Sequence, residues 1–323
     1  MRTLITGAGG FAGQHLVRNL LAQGDTLFGG TFQGALPDGG LLSAEEAARV
    51  CWLPLDVTSD GSLAATLERA RPDRVFHLAA QSSVGASFAD PLATWDANAT
   101  GTARLLYAVA RFSPPGVRVL VVSSAEVYGA VPEAEQPIPE QRALCPINPY
   151  AASKAAAEMV ALQVAATTDV EVVIARSFTH TGPGQDARFA LAGFAQQLAS
   201  MHEVIMEPVL RVGNLSVRRD YLDVRDAVRA YQRLLDVGDN GTVYNVCSGE
   251  AHDLGDLVQT LVEMSRTGAR IEVDPDRFRP ADIPLLCGNP DRIQALGWSP
   301  TIPMQQTLSD LLACNQKAGP RLP

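Results

Sequence analysis

The sequence has few cysteines, and their positions argue against the sites that paired cysteines usually form. Among its 323 residues there are five, and no two of them have the spacing of a CxxC motif. They are Cys51, Cys145, Cys247, Cys287 and Cys314. We therefore expect no zinc or other metal site and no disulfide framework. Reduced thiols are typical of cytoplasmic proteins, and we expect this chain to act in the cytoplasm.

Long apolar runs and an excess of positive charge are also missing. No apolar run approaches the ~20 residues that cross a bilayer, and the N-terminal TLIT is too short for the core of a signal peptide. The formal net charge of −9 at pH 7 argues against a general surface for nucleic acid or anionic membrane, although a local basic pocket could hold a phosphate. With 46% hydrophobic and 19% charged residues, the composition is that of a globular protein. We expect no nucleic-acid or membrane partner.

The first half alternates short apolar segments with helical patterns. Near-continuous apolar strands separated by helices are typical of a parallel sheet that is covered on both faces. The second half is less regular, and it predicts a smaller lobe of mixed helices and strands. The predicted strands are Thr3–Thr6, Thr26–Thr31, Cys51–Leu55, Arg74–Leu78, Arg118–Val122 and Val170–Ala175. The predicted helices are Phe11–Gln23, Ser62–Ala70, Leu92–Phe112, Tyr150–Ala166, Leu191–Met201, Arg225–Leu235, Leu254–Met264 and Gln305–Cys314. The fold class that follows is α/β.

A glycine-rich loop stands where the first predicted strand meets the first predicted helix. In LITGAGGFAG the strand runs into Gly7, and the helix begins near Phe11, between Gly10 and Gly13. Such glycines allow a tight turn, let the backbone approach a pyrophosphate and direct a helix N-terminus at its negative charge. A GxxGxxG spacing alone is a weak signal. The order of strand, loop and helix nevertheless favours a dinucleotide site in a Rossmann-type, doubly wound parallel sheet.

The end of the second predicted strand bears on which dinucleotide is bound. NAD-preferring sites usually place an acidic residue there for the ribose hydroxyls, but TLFGGTFQG offers Thr31 and no acid. No arginine for a 2′-phosphate is present either. The missing acid removes the main repulsion against that phosphate, so NADP(H) is favoured, with NAD(H) as the alternative. After the third strand, Asp56 and Val57 stand where an adenine would lie, although Asp56 could instead only cap the following turn.

A tyrosine and a lysine lie four residues apart in NPYAASKAAAE. Asn148 can cap a helix there, Pro149 suits its first position, and the alanines favour helix. Tyr150 and Lys154 then share one face of the helix, which taken alone could be incidental. A free tyrosine has a pKa near 10, so phenolate chemistry near neutrality needs a shift of roughly three units. A lysine cation, an oxidised nicotinamide and a helix N-terminus would each act in that direction.

In this order the glycine loop, HLAAQSSV, VVSSAEVYG and the tyrosine–lysine pair resemble the extended short-chain dehydrogenases/reductases. The resemblance implies that Tyr150 is the catalytic acid/base, that Lys154 holds the nicotinamide ribose and lowers the tyrosine pKa, and that Ser124 shares the substrate hydrogen bond. Asn98 in WDANATGT matches the family asparagine that supports a proton-relay water, and a helix-packing role is the alternative. The further cofactor contacts that the resemblance implies are Phe11, Leu78, Ala79 and Ala80.

The second half narrows the resemblance. RSFTHTGPGQ, RRDY, GTVYNVCSG and RPADIP resemble the GDP-4-keto-6-deoxy-D-mannose reductases, which form GDP-D-rhamnose, and more distantly the GDP-mannose 4,6-dehydratases. The resemblance implies that Arg219 and Arg279 hold the substrate diphosphate, a task suited to guanidinium groups. An ion pair with Asp220 or Asp223 is the alternative for Arg219. The other substrate contacts that it implies are Ser83, Thr179, Asn214 and Asp282.

Two positions depart from or complicate this pattern. Thr179 stands where the family usually has asparagine, which changes the local substrate contacts. Glu126 matches the base of the dehydratases, but Ala125 stands beside it, and similar reductases also carry an acid there. Glu126 could equally be a hydrogen-bond acceptor that stabilises its loop.

Three functions follow as hypotheses. The first is reduction of a GDP-4-keto-6-deoxyhexose by NADPH, and the second is a nucleotide-sugar dehydratase or epimerase with a retained cofactor. The third is a non-catalytic dinucleotide sensor, against which the tyrosine–lysine pair argues. The family further implies a homodimer formed through two long helices. We predict a dinucleotide domain of residues 1–177 plus roughly 213–247, and a nucleotide-sugar lobe of roughly 178–212 plus 248–323.

Overall fold

A computed structural model describes residues 1–201, 208–277 and 283–318. Its strands are β1 (Arg2–Thr6), β2 (Thr26–Thr31), β3 (Val50–Pro54), β4 (Arg74–His77), β5 (Arg118–Ser124), β6 (Glu171–Ser177), β7 (Thr179–Thr181), β8 (Val209–Val212), β9 (Arg218–Asp223), β10 (Thr242–Val246), β11 (Ala251–Asp253), β12 (Arg270–Val273) and β13 (Leu285–Leu286). Its α-helices are α1 (Phe11–Leu21), α2 (Ala44–Ala48), α3 (Asp60–Ala70), α4 (Val84–Ala89), α5 (Pro91–Trp95), α6 (Gly101–Phe112), α7 (Pro149–Thr167), α8 (Ala190–Ser200), α9 (Val224–Val237), α10 (Leu254–Ser265), α11 (Asp291–Ala295) and α12 (Met304–Ala318). A π-helical turn, Asp96–Thr100, joins α5 to α6.

Seven strands form one parallel sheet in the order β3-β2-β1-β4-β5-β6-β10. Successive residues of a strand point to opposite faces, and in β1 the neighbours Leu4 and Ile5 enter two different cores. The core on one face includes residues of α1 and α9, and the core on the other includes residues of α3, α6 and α7. The predicted doubly wound α/β fold is therefore confirmed.

The second half adds a smaller lobe of mixed structure. Strand β9 pairs with β7, β11 and β13, while β8 pairs with β12. Helices α8, α10 and α12 pack together over a separate apolar core. Within the predicted segment 213–247, β10 lies in the large sheet but β9 lies in the small one. The domain boundaries given above therefore stay a prediction, and the sheets favour moving β9 into the lobe.

Two observations place the chemistry-bearing loops. Parallel strands end at the same edge of a sheet, so the segments after β1, β4, β5 and β6 meet at the carboxyl edge. Helix α7 starts beside this edge with the predicted cap: the Ala151 N–H donates to Asn148 Oδ1 at 2.8 Å, and Pro149 is the first helical residue.

Among the described residues, no helix is both long and apolar enough to cross a membrane.

Candidate active site

The glycine loop between β1 and α1 packs too tightly for side chains. A Cβ on Gly13 would lie 2.2 Å from the Gly7 carbonyl oxygen, and one on Gly7, at φ +69°, would lie 2.8 Å from the Ala79 nitrogen. Helix α1 begins after Gly10 with no side-chain cap and no acid in its first turn. Its first N–H groups are therefore free of side-chain acceptors, as an anion site at a helix N-terminus requires. The predicted cofactor residues Leu78 and Ala80 flank Ala79 on the neighbouring loop.

The residues predicted to meet the adenosine lie at the ends of β2 and β3. Thr31 ends β2, and its hydroxyl donates to the Ala35 carbonyl at 2.9 Å. The Asp56 carboxylate accepts from the N–H and the hydroxyl of Thr58 at 2.8 and 2.7 Å, so it caps the turn after β3, the second of the two interpretations. Val57 is buried against Gly101 of α6. A cofactor role for these residues stays a prediction.

Tyr150 and Lys154 lie on the buried face of α7, facing the end of β5. The Tyr150 hydroxyl makes a hydrogen bond with the Ser124 side chain, while Lys154 Nζ donates to the Val122 carbonyl at 2.7 Å. Ser124 ends β5, and its hydroxyl also accepts the N–H of Glu126 at 3.2 Å. The structure thus brings together the tyrosine, lysine and serine that the sequence singles out.

Burial dominates the titration of both helix residues. It raises the pKa of Tyr150 to about 12, although the hydrogen bond to Ser124 acts in the opposite direction. Burial also lowers the pKa of Lys154 to about 8, against the opposing effect of the Glu158 carboxylate. The sequence argument expected a lowered tyrosine pKa, and the structure differs because removal of the phenol from water outweighs the hydrogen bond to Ser124, and the Glu126 carboxylate acts in the same direction as burial. Near neutrality Tyr150 therefore carries a proton that it can donate.

Glu126 follows Ser124 in a short 3₁₀ turn, Ala125–Tyr128. Its Oε2 accepts from Asn148 Nδ2 at 3.1 Å, so it stabilises the start of α7. It also faces Tyr150, whose pKa it raises, and Arg219. Both sequence interpretations of Glu126 stay open, because a carboxylate in this position can act on substrate and hold its loop.

Asn98 lies in the π-helical turn and is almost fully buried. Its Nδ2 donates to the Gln81 carbonyl and to Ser153 Oγ, both at 3.0 Å, and its Oδ1 accepts the Gln81 N–H at 2.8 Å. The Ser153 hydroxyl in turn donates to the Tyr150 carbonyl at 2.7 Å. These contacts tie the loop after β4 to α7, so the packing interpretation describes what the side chain does here.

Arg219 lies on β9 and points toward Glu126 and Tyr221. Its Nη1 donates to the carbonyls of Arg218 and Pro284 at 2.9 and 3.3 Å, and no ion pair to it occurs within the described ranges. Burial lowers the pKa of this guanidinium. The guanidinium is half-buried and has no ion pair to satisfy its charge, so the side chain is suited to an anionic ligand.

The alternative ion pairs of Arg219 do not form, because both aspartates have other partners. Asp220 accepts hydrogen bonds from Ser248 and from the backbone of Gly249 and Gly288. Asp223 is paired with Arg225 at 2.7 Å. That part of the sequence interpretation is wrong.

The other predicted substrate residues have local roles or fall outside the described part of the chain. Ser83 caps α4 through the Ala86 N–H at 3.2 Å, and Asn214 caps a turn through the Ser216 N–H at 2.9 Å. Thr179 lies on β7, beside Tyr221 of β9. Arg279 and Asp282 lie outside the described residues, so their roles stay predictions.

One aromatic cluster near the glycine loop is not predicted by the sequence. The Phe11 ring stacks on His180 with centroids 6.1 Å apart and contacts His15 edge-on at 5.5 Å. Burial lowers the pKa of both histidines, so they are neutral. The Phe11 stacking holds β7 against α1, and His15 Nε2 holds the loop after β7 by donating to the Pro183 carbonyl at 2.9 Å. The only sequence signal is HTGPGQ, which marks a turn but not its partner.

Comparison with known proteins agrees with this geometry. The chain matches the family model described as GDP-mannose 4,6 dehydratase over residues 4–311. It is 38% identical over 313 residues to a GDP-6-deoxy-D-mannose reductase of Pseudomonas aeruginosa, covering 97% of this chain and 96% of that protein.

Solved structures show the same architecture. The structure of RMD from Pseudomonas aeruginosa complexed with NADPH has a TM-score of 0.84 and 36% identity, covering 98% of this chain and 100% of that one. The UDP-glucose 4-epimerase of Thermus thermophilus in complex with NAD has a TM-score of 0.85 and 29% identity, with the same coverage. The chain therefore belongs to the GDP-mannose 4,6-dehydratase family of extended short-chain dehydrogenases/reductases and is an NAD(P)-dependent oxidoreductase.

Proposed function

We propose that this enzyme reduces the keto group of GDP-4-keto-6-deoxy-D-mannose to give GDP-D-rhamnose, with NADPH as the preferred reductant. The observation that carries the proposal is the position of Tyr150 beside Ser124, with Glu126 close to both Tyr150 and Arg219, a guanidinium that forms no ion pair among the described residues. A reductase needs a proton donor at the carbonyl and a cation for the nucleotide diphosphate. The full-length likeness to a GDP-6-deoxy-D-mannose reductase supports the same reaction.

The dinucleotide fits the glycine loop, whose missing side chains leave backbone N–H groups accessible at the start of α1. Gly7, Gly10 and Gly13 would hold its pyrophosphate, and Lys154 its nicotinamide ribose. When bound, it supplies the hydride that reduces the carbonyl carbon. NADPH is favoured because β2 ends at Thr31 without an acid and because a structural relative contains NADPH. NAD(H) is the alternative, since another relative contains NAD.

The side chains of this enzyme manage the proton and the negative charge of the oxygen. The Tyr150 hydroxyl donates its proton to the carbonyl oxygen as that oxygen gains charge, which is general acid catalysis. The Ser124 hydroxyl, already bonded to Tyr150, shares the same oxygen and orients it. Lys154 remains largely a cation near neutrality and favours the phenolate left after proton transfer.

A dehydratase is the second candidate, and Glu126 is the observation that favours it. The carboxylate lies near Tyr150, where it could remove a proton from a carbon next to the ketone. The hydrogen bond from Asn148 gives Glu126 a structural role that requires no part in catalysis. The reductase is therefore preferred.

The balance of reductant separates these two activities. We expect the purified enzyme to oxidise one NADPH for each GDP-4-keto-6-deoxy-D-mannose consumed. A reductase does not regenerate its NADPH within the reaction cycle, whereas a dehydratase does regenerate its retained cofactor. With GDP-mannose alone we expect no 4-keto product. Absorbance of NADPH and chromatography of the sugar nucleotides measure both. Accumulation of the 4-keto sugar from GDP-mannose without added reductant would contradict the proposal in favour of a dehydratase.

We also propose that the enzyme is a homodimer through α4, α5, α6 and α7, which pack together over one face of the sheet. Apolar side chains are unusually exposed there, and a large exposed apolar patch typically marks an interface. They are Phe88, Leu92, Trp95, Tyr107 and Met159, with exposures of 59%, 78%, 44%, 52% and 52%.

A charge in this patch should separate the subunits. We expect Leu92→Glu combined with Met159→Glu to give a monomer by analytical ultracentrifugation, because paired carboxylates would have to be desolvated at the interface. Val237→Glu is the matched control, since Val237 is also an exposed apolar residue, at 41%, but lies at the end of α9 on the other face of the sheet. A wild-type monomer, or a dimer that survives both charges, would contradict this interface.

We further propose a cytoplasmic location. All five cysteines are free thiols, two of them buried, as expected for a chain that matures under reducing conditions.

A further inference from the structure

A third titratable residue follows the tyrosine–lysine pair on the same face of α7. Glu158 lies one turn beyond Lys154, as Lys154 lies one turn beyond Tyr150, and it is fully buried. A carboxylate is rarely found at 0% exposure unless it is paired. Its position below the catalytic lysine is therefore a costly feature that the mechanism described above does not use.

Arg176 of β6 is the partner of Glu158. Its Nη2 lies 2.7 Å from Glu158 Oε2, and its Nε lies 3.1 Å from both carboxylate oxygens. The Ser123 hydroxyl, opposite Arg176 in the sheet, donates to the same carboxylate. Helix α7 is thus fixed to β5 and β6 directly beneath Lys154.

The remaining donors of Arg176 reach the loop that carries Glu126. Arg176 Nη1 donates to the Tyr128 hydroxyl at 3.0 Å and to the Glu140 carbonyl at 2.9 Å. The Tyr128 hydroxyl donates to Asn245 Oδ1 of β10 at 2.7 Å. One buried network therefore connects the catalytic helix, three strands and the 3₁₀ turn after Ser124.

Burial is the largest influence on the pKa of Lys154, and Glu158 is the charged group that opposes it. His77 of β4 is buried and neutral. The Thr102 hydroxyl donates its proton to the Asn98 carbonyl, so this hydroxyl accepts the hydrogen bond from His77 Nε2. His77 Nδ1 accepts from the Thr6 hydroxyl, so the ring carries one proton. Burial lowers the pKa of His77 to about 3. Tyr150 is uncharged near neutrality, and Arg176 stands behind the carboxylate.

We propose that the Glu158–Arg176 pair is a positioning element that holds Lys154 against the sheet and keeps its ammonium charged over the pH range in which the enzyme works. The consequence for turnover rests on the proposed reductase activity, but the effect on Lys154 does not. Removing the carboxylate leaves Arg176 as the nearest charge, so the lysine should lose its proton at lower pH.

The sequence makes a direct test practical, because it contains only two lysines, Lys154 and Lys317. Lysine labelled with ¹³C at Cε gives two NMR signals, and a Lys317→Arg variant assigns them. In the ligand-free wild type we expect Lys154 to titrate near its pKa of about 8. In Glu158→Gln we expect the midpoint to fall by about one pH unit. The alkaline limb of kcat/KM should move by the same amount.

Two further variants keep the test decisive. If Glu158→Gln fails to fold because Arg176 is left uncompensated, the double variant Glu158→Gln/Arg176→Gln removes both charges, and we expect a smaller fall in the same direction. Asp25→Asn is the control, since Asp25 is the partly buried ion-pair partner of Arg74 at the amino end of the sheet. It should lower stability without moving the Lys154 midpoint. A folded Glu158→Gln or double variant with an unshifted Lys154 signal would overturn the proposal, whatever substrate the enzyme reduces.

Discussion

Tyr150→Phe should lower kcat by ~10²-fold or more while leaving the fold and the affinity for NADPH close to those of the wild type. General acid catalysis typically contributes this much, and the substitution removes only the hydroxyl that donates the proton. The ring stays buried on α7, and Ser124 keeps its hydrogen bond from the Glu126 N–H. Single-turnover oxidation of NADPH, with circular dichroism and fluorescence binding on the same sample, measures all three quantities.

Tyr231→Phe is the matched control for this experiment. Tyr231 is also a buried tyrosine, and its hydroxyl donates to a serine, Ser177 Oγ, at 2.8 Å. Ser177 lies beside Ser124 in the sheet, so the two substitutions remove similar hydrogen bonds from neighbouring strands. We expect the control to lose stability and to keep its turnover within a few-fold. Near-normal turnover in Tyr150→Phe would mean that the tyrosine–lysine pair is incidental.

Arg219→Ala should lower kcat/KM, and the loss should correspond to roughly 2–4 kcal/mol of transition-state stabilisation. This is the cost expected for the loss of a partly buried, charge-assisted contact with a diphosphate. Arg219→Lys should recover only part of this loss, since an ammonium cannot offer paired donors. The affinity for NADPH should be unchanged, because Arg219 lies on β9 and the glycine loop lies at the end of β1. The melting temperature should fall only slightly, because this side chain donates to two backbone carbonyls through exposed atoms and pairs with no carboxylate among the residues described.

Arg218→Ala provides the control in the adjacent position. Arg218 is exposed and pairs with Glu133 at 2.8 Å, so its loss should change little. A lower melting temperature with intact kinetics in Arg219→Ala would assign that arginine a structural role. Equal kinetic losses in both variants would point to a general electrostatic effect instead of a specific contact.

Features that depend on neighbouring residues are predictable from the sequence. The predicted strand Thr26–Thr31 has the bounds that the structure shows, because its apolar run ends at turn-forming residues. The cap and first residue of α7 follow from the Asn148–Pro149 step, and the common face of Tyr150 and Lys154 follows from helical periodicity. The glycine loop is recognisable because strand, loop and helix are consecutive in the chain.

Side-chain partners in strands and turns are less predictable. Arg219 and Asp220 are neighbours, but alternate residues of a strand face opposite ways, so one points toward the site and the other accepts hydrogen bonds from Ser248 and Gly249. For Asp56 the sequence leaves two roles open, and the backbone of the turn at Thr58 shows the capping one.

The local pattern of this chain was sufficient for the parallel α/β sheet, the dinucleotide loop and the helical tyrosine–lysine pair, since each arises from short-range spacing and backbone geometry. Long-range packing decided the rest. Strand β10 pairs with β6 at the edge of the large sheet, although the chain between them passes through the second lobe. Strand β9 is closer to β6 in sequence than β10 is, but it does not join that sheet. Glu158 and Arg176 meet because α7 packs across β6. Their pairing, and the pKa values of Tyr150 and Lys154, depend on the removal of water by residues distant in sequence, which no local pattern records.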